Sequence, residues 1–143
     1  MMSGSATPSA ADGPESPAGV RILLVDDHDG VRNATAMLLR TEGFEVLCAA
    51  SLSEARDALR TGSPIDLVIA DYHLQAGETG IEVIAMARSV AGEHLGAVLV
   101  SGDTFSTPHD VQVTGRLRLA GKPIRGRELL AIVSELLAVR KAT

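Results

Sequence analysis

Five short apolar runs, each about as long as a β-strand, constrain this chain more than any other feature. They lie at 21–25 (RILLV), 45–49 (EVLCA), 66–70 (DLVIA), 97–100 (AVLV) and 117–120 (LRLA). Helical spacing of apolar residues fills most of the intervals. Val31, Ala34 and Leu38 share one face after Asp29, and Leu52, Ala55 and Leu59 share one after Ser51. Gly62 and Pro64 end that second helix. Ile81, Ile84, Ala85 and Arg88 mark a third over about 80–90, and Leu129, Ile132, Val133 and Leu136 a last one over about 125–140. The weakest helical segment is 107–114 (TPHDVQVT), which is short and rich in β-branched residues and has Pro108 suited to a first turn. Strands alternating with helices imply a parallel sheet covered on both faces. Right-handed crossovers then favour a doubly wound α/β sandwich, a (βα)5 arrangement.

The 143 residues suit one domain, spanning 20–143. Residues 1–19 contain little beyond Ser, Ala, Gly and Pro after Met2, and are expected to form a disordered tail because they cannot bury enough surface to offset their ordering entropy. Hydrophobic residues make up 45% of the chain but aromatics only 2%, so the core must be built from Leu, Ile, Val and Ala. A net charge of −5 without a basic cluster argues against nucleic-acid binding. No apolar run approaches the roughly 20 residues that span a bilayer, and no secretory signal is visible. With Cys48 the lone cysteine, no intrachain disulfide can form. A soluble, cytoplasmic protein without a membrane partner is expected. Cys48 itself reads as a buried residue of the second strand, and His28, His94 and His109 as packing or surface residues.

In doubly wound sheets ligands bind at the carboxyl ends of the strands. Here the first strand runs into Asp26-Asp27, the third into Asp71, the fourth into Ser101-Gly102 and the fifth toward Lys122-Pro123. The topology therefore gathers three carboxylates, a hydroxyl and an ammonium on one edge. Two carboxylates about 4 Å apart repel by about 4 kcal/mol at an effective dielectric near 20. One lysine cannot offset three negative charges, whereas a hard divalent cation can. Oxygen ligands in small number, with waters, suit magnesium, with manganese as an alternative. A carboxylate nucleophile in such a cleft can accept a phosphoryl group as an acyl phosphate. Catalysis is then mostly positioning and charge stabilisation, with the cation on one phosphoryl oxygen, Lys122 on a second, and Ser101 with a nearby backbone N–H on the third.

The ordered motifs LLVDDH, DLVIADYHL, VLVSGD and AGKP resemble the receiver domain of two-component response regulators over about 20–140. The wording around Asp71 and Ser101 is closest to receivers attached to hybrid sensor histidine kinases. The resemblance implies a flavodoxin-like parallel five-stranded sheet in the order 2-1-3-4-5. It implies phosphoryl transfer onto Asp71 from the histidine of a kinase or a histidine phosphotransfer protein, with a downstream protein target that the sequence does not identify. Such a domain catalyses only its own phosphorylation and dephosphorylation. Magnesium would be bound by Asp27, Asp71 and the main-chain carbonyl of His73, with Asp26 acting through water. Lys122-Pro123 would be a cis peptide. The His73 side chain would flank the phosphoryl site rather than ligate.

Three features depart from the family pattern. Gln75 stands where many receivers have Pro, and the Asp71–Gly80 stretch is one residue longer than usual, so a flexible approach to the third helix is expected. Leu119 occupies the position of the switch aromatic, which would leave switching to Ser101, Gly102 and the 107–114 segment. No output module follows Thr143, which suggests a stand-alone regulator or a hybrid-kinase receiver. Leu130 and Leu137 broaden the apolar face of the last helix, either as core or as a docking surface, and a homodimer is left open. Two other readings compete. One is a receiver fold used only for interaction, with phosphorylation vestigial. The other is a haloacid-dehalogenase-type phosphatase, whose signature Asp27-His28-Asp29-Gly30-Val31 formally matches, but which lacks its acidic motif beyond the lysine and leaves Asp71 without a role.

Overall fold

The structure is a computed structural model that describes residues 19–102 and 116–142, with side chains through Ala138. Residues 1–18 of the expected tail and the expected 107–114 helix lie outside the described residues. The elements run β1 (Arg21–Val25), α1 (Asp29–Thr41), β2 (Glu45–Ala49), α2 (Leu52–Leu59), β3 (Leu67–Asp71), α3 (Gly80–Ala91), β4 (Gly96–Ser101), β5 (Leu117–Gly121) and α4 (Gly126–Ala142). All five strands are parallel and lie in the order β2-β1-β3-β4-β5. The flavodoxin-like fold expected from the motifs is the fold observed.

Alternation along the strands divides the core into two layers. One face carries Leu23, Val25, Val68, Ala70 and Leu99 beneath Ala55 and Leu59 of α2 and Val83, Ile84 and Ala87 of α3. The other carries Ile22, Leu24, Leu67, Ile69 and Val98 beneath Ala36 and Leu39 of α1 and Leu129, Val133 and Leu136 of α4. Every residue of β3 and β4 is buried, which is why those strands read as unbroken apolar runs. Leu130, Ile132 and Leu137 pack against the second layer, so the wide apolar face of α4 is a broad core face.

Several local expectations are corrected. In α1 the inward residues are Ala36 and Leu39, while Val31 and Ala34 are exposed. Adjacent Leu38 and Leu39 allow two helical phases one residue apart, and the inward one includes Arg32, whose Nη1 donates to the Asp26 carbonyl oxygen (2.8 Å). In α3 Ala85 is exposed, and Val83 and Ala87 are buried beside Ile84. Cys48 is exposed, because β2 is an edge strand and α1 covers Val46 but not the strand end. The Cys48 Sγ accepts from Arg40 Nη2 (3.9 Å).

The connection from β3 to α3 is a closed turn rather than an open approach. A 3-10 turn spans Gln75–Gly77, with Ala76 in the left-handed region (φ 61°) and Gly77 also at positive φ (78°). Leu74 N–H donates to the Glu78 carbonyl (3.0 Å), Gly80 N–H donates to the Tyr72 carbonyl (2.9 Å), and His73 and Thr79 form an antiparallel bridge. Thr79 and Glu82 then cap α3 reciprocally: Glu82 N–H donates to Thr79 Oγ1 (3.3 Å) and Thr79 N–H to Glu82 Oε1 (2.9 Å).

Gly80 is where this turn meets the sheet. A Cβ at that position would collide with the main-chain carbonyl oxygen of Asp71 and stand 2.7 Å from Leu99 Cδ1. Gly80→Ala is therefore expected to destabilise the fold by about 1–3 kcal/mol through overpacking, measured by urea denaturation. An unchanged midpoint would show that α3 can shift away from β3 freely.

Candidate functional site

The carboxyl ends of β1, β3, β4 and β5 bring the expected residues onto one edge. Asp71 is the last residue of β3 and pairs in register with Val100, while Ser101 ends β4 opposite Gly121. Asp26 extends the β1–β2 pairing by one bond, its N–H donating to the Ala49 carbonyl (3.1 Å). Lys122 N–H donates to the Ser101 carbonyl (2.8 Å), which draws the lysine to the end of β4. The Lys122-Pro123 peptide is cis.

Asp26, Asp71 and Ser101 are buried polar residues in an otherwise apolar interior, and Asp27 is half-buried beside them. Each of the three aspartates offers a carboxylate oxygen within 4.8 Å of the others. Lys122 Nζ lies 2.9 Å from Asp71 Oδ2 and 3.4 Å from Asp26 Oδ2, so its hydrogen bond to Asp71 is the stronger of the two. The other Asp26 oxygen accepts from His28 N–H (2.9 Å), which fixes the carboxylate plane.

Burial pushes the Asp71 carboxyl above its usual value of 3.8, and the negative charges of Asp26 and Asp27 push it further, against the opposing pull of Lys122. For Lys122 burial works downward, but the hydrogen bonds and charges of Asp71 and Asp26 outweigh it and the ammonium is held above its usual 10.5. The site sets three carboxyl groups around one ammonium, a donor set of hard oxygens in which acidic groups outnumber the basic one. That chemistry fits a magnesium-like divalent cation and does not fit a soft thiolate-seeking metal.

The flanking residues have other work. His28 caps α1, its Nδ1 accepting from Val31 N–H (3.2 Å). Asp29 is largely exposed and pairs with Arg32 (2.7 Å), so the second aspartate of the phosphatase-like pattern stays out of the cluster. The exposed His73 ring sits edge-on to Tyr72 at 4.7 Å. Leu119 is 41% exposed on β5. Arg32, bridging the Asp26 carbonyl and Asp29, and Glu78, which accepts from Leu52 N–H (3.0 Å), are site-supporting residues that sequence reasoning missed. A capping or i,i+3 pattern signals Arg32 with Asp29, whereas nothing in the sequence pairs residues 52 and 78.

Comparison with known proteins decides the family. The response regulator receiver domain matches residues 22–134. The chain belongs to the response regulator receiver family. Its curated relatives include the transcriptional regulatory protein AruR of Pseudomonas aeruginosa, 29% identical over 82% of this chain and 49% of that protein. The DNA-binding response regulator MtrA of Mycolicibacterium smegmatis is 32% identical over 79% of this chain and 48% of that protein. The chain thus spans about half the length of these two relatives. Among solved structures, the receiver domain of the hybrid histidine kinase CckA is similar with 33% identity and a TM-score of 0.68, covering 82% of this chain and 98% of that one. The receiver is accordingly part of two-component signalling, and hybrid-kinase receivers are among its structural relatives. No helix among its described residues is long and apolar enough to cross a membrane.

The raised Asp71 value has a consequence for stability. A carboxyl whose folded value is raised contributes most when protonated, and that contribution is lost as pH rises through the folded value. At pH 7 in a chelator, Asp71→Asn is therefore expected to melt about 2–5 °C above the wild-type receiver, the scale of roughly 1 kcal/mol for a domain of this size. The advantage should shrink as pH falls toward 3.8. A variant that melts lower at pH 7 would show that the Lys122 pair outweighs the burial of the charge.

Proposed function

We propose that this receiver accepts a phosphoryl group from a phosphohistidine donor onto Asp71, and so switches or relays a two-component signal. The observation that carries the reading is Lys122 Nζ poised 2.9 Å from Asp71 within a cluster of three carboxylates. An Asp71 carboxylate oxygen attacks the phosphorus, the P–N bond to the donor imidazole breaks, and the imidazole leaves carrying its electron pair and takes up a proton. Lys122 holds a phosphoryl oxygen beside the atom it already contacts. Ser101, at the end of the neighbouring strand, takes a second.

Asp26, Asp27, Asp71 and the main-chain carbonyl of His73 would hold Mg2+, or Mn2+ in its place, with Asp26 acting through water. The bound cation supplies charge neutralisation for the carboxylates and for one phosphoryl oxygen. Asp26 is placed for the outer role by its two existing partners, His28 N–H and Lys122. The donor is a histidine kinase or a histidine phosphotransfer protein, a reading supported by the sensor proteins among the relatives, such as TorS of Escherichia coli. The chain turns over no separate substrate and acts only on its own phosphorylation state. Ser101, Gly102 and Leu119 are assigned to the switch, with a protein as downstream target and the cytoplasm as its location.

Incubation with acetyl phosphate and Mg2+, followed by intact-mass and peptide mapping, is expected to place one phosphoryl group on Asp71. Asp71→Asn should carry none, and Lys122→Ala should label about 100-fold more slowly, the scale for losing one charge-stabilising donor. Label on Asp27 would overturn the reading in favour of a phosphatase-like site. Absence of label from wild type with both acetyl phosphate and phosphohistidine donors would favour an interaction module.

A further inference from the structure

The turn that follows Asp71 is tied to a helix that takes no part in the site. Glu78 is half-buried, and its Oε1 accepts from the main-chain N–H of Leu52 at 3.0 Å, twenty-six residues away in sequence. Leu52 is the first residue of α2, where N–H groups have no partner within the helix and the helix dipole favours a negative charge. Two neighbouring donors have local partners: Glu54 N–H donates to Ser51 Oγ (3.1 Å) and Ala50 N–H to Glu54 Oε1 (2.8 Å). The Glu78 carboxylate supplies a further cap, on Leu52, from a different part of the fold.

The main chain of Glu78 is equally engaged. Its N–H donates to the Gln75 carbonyl (3.2 Å) and its carbonyl accepts from Leu74 N–H (3.0 Å). The next residue, Thr79, forms the antiparallel bridge to His73 and caps α3. A continuous path therefore runs from the α2 terminus through Glu78 and Thr79 to His73, two residues from Asp71. The turn needs such an anchor, because it contains a non-glycine residue at positive φ and has no side-chain cap at Leu74.

We infer that Glu78 is a positioning residue for the cation site, holding the returning limb of the turn against α2 so that the His73 carbonyl is presented toward the carboxylate cluster. This rests on the reading above that Mg2+ binds there with the His73 carbonyl among its ligands. The contact acts in both directions, since coupling between two sites is reciprocal. Cation binding should tighten the Glu78–Leu52 hydrogen bond and slow exchange of the Leu52 amide. Loss of the Glu78 carboxylate should weaken the cation. The effect should be smaller than the 10- to 100-fold typical of a residue bonded directly to a metal ligand, because Glu78 acts through the backbone.

The test is Mg2+ titration of the whole chain, followed by the fluorescence of Tyr72, the sole tyrosine in a chain without tryptophan, and by the rise in melting temperature. Leu52 amide exchange is measured with and without Mg2+. Glu78→Ala is expected to raise the Mg2+ dissociation constant about threefold to tenfold and to abolish the Mg2+-dependent protection of Leu52. Glu78→Gln, which keeps an acceptor oxygen, should recover much of both. A purely structural residue would lower the metal-free melting temperature in Glu78→Ala and leave the Mg2+ dissociation constant unchanged, which overturns the inference alone. A wild-type protein that shows no Mg2+ response by any of the three measures overturns the cation reading and the inference with it.

Discussion

The confrontation of three carboxylates with one ammonium is the constraint on which the rest of the molecule depends. At 4.8 Å, two carboxylates repel by about 3.5 kcal/mol at an effective dielectric near 20. Lys122 at 2.9 and 3.4 Å from two of them attracts both, but a single positive charge leaves the cluster negative. Such a cluster stays together because the groups stand on the ends of strands that are buried on both faces. Moving Asp71 away would mean moving the last residue of β3, which is paired to β4 and roofed by α3 through Gly80. The doubly covered sheet gives the site its rigidity, and the site takes from the sheet the cost of holding like charges together.

The division between rigid and adjustable parts follows the elements. Asp26, Asp71, Ser101 and Lys122 belong to strand ends registered by backbone bonds, so their mutual geometry is a property of the sheet. The Tyr72–Thr79 segment has a different character. It closes on itself by main-chain bonds, accepts a left-handed alanine, and borrows its outer anchors from α2 and α3. Charge is fixed by the sheet, while access to the charge is set by the turn.

The sheet and the site were legible in the sequence for one shared reason. Parallel strands buried on both sides appear as continuous apolar runs, and the residue at which each run stops being apolar is the residue at the functional edge. Asp26, Asp71 and Ser101 could be found that way without any knowledge of contacts. The helices were less legible, because an apolar stripe does not fix its own rotation when two leucines are adjacent. Leu38 and Leu39 permit two phases, and the phase that wins buries the aliphatic stem of Arg32 along with Ala36 and Leu39. Cys48 misled because the edge of a sheet follows from strand order, not from the composition of the strand. The Glu78–Leu52 bond was invisible, since it joins the β3–α3 turn to the start of α2 with no periodic signal between them.

Charge counting carries the argument one step past the resting site. Three carboxylates and one ammonium leave two negative charges, and one divalent cation brings that sum to zero. On the reading proposed for Asp71, phosphorylation replaces one carboxylate charge by an acyl phosphate of about −2. The occupied site then has about one more negative charge than before, together with new oxygens that require donors. On that reading the cation and Lys122 each take one phosphoryl oxygen, so the remaining demand falls on a group able to move toward the third. Ser101 carries a hydroxyl at the end of β4, whereas Leu119 has no polar atom and sits half-exposed on the edge strand. Area alone can reward Leu119 for moving, at about 25 cal/mol per Å² covered, and that reward needs a surface to cover it. On that reading a leucine at this position gains by moving only where something packs against β5, and the driving force still arises from the charge added at Asp71.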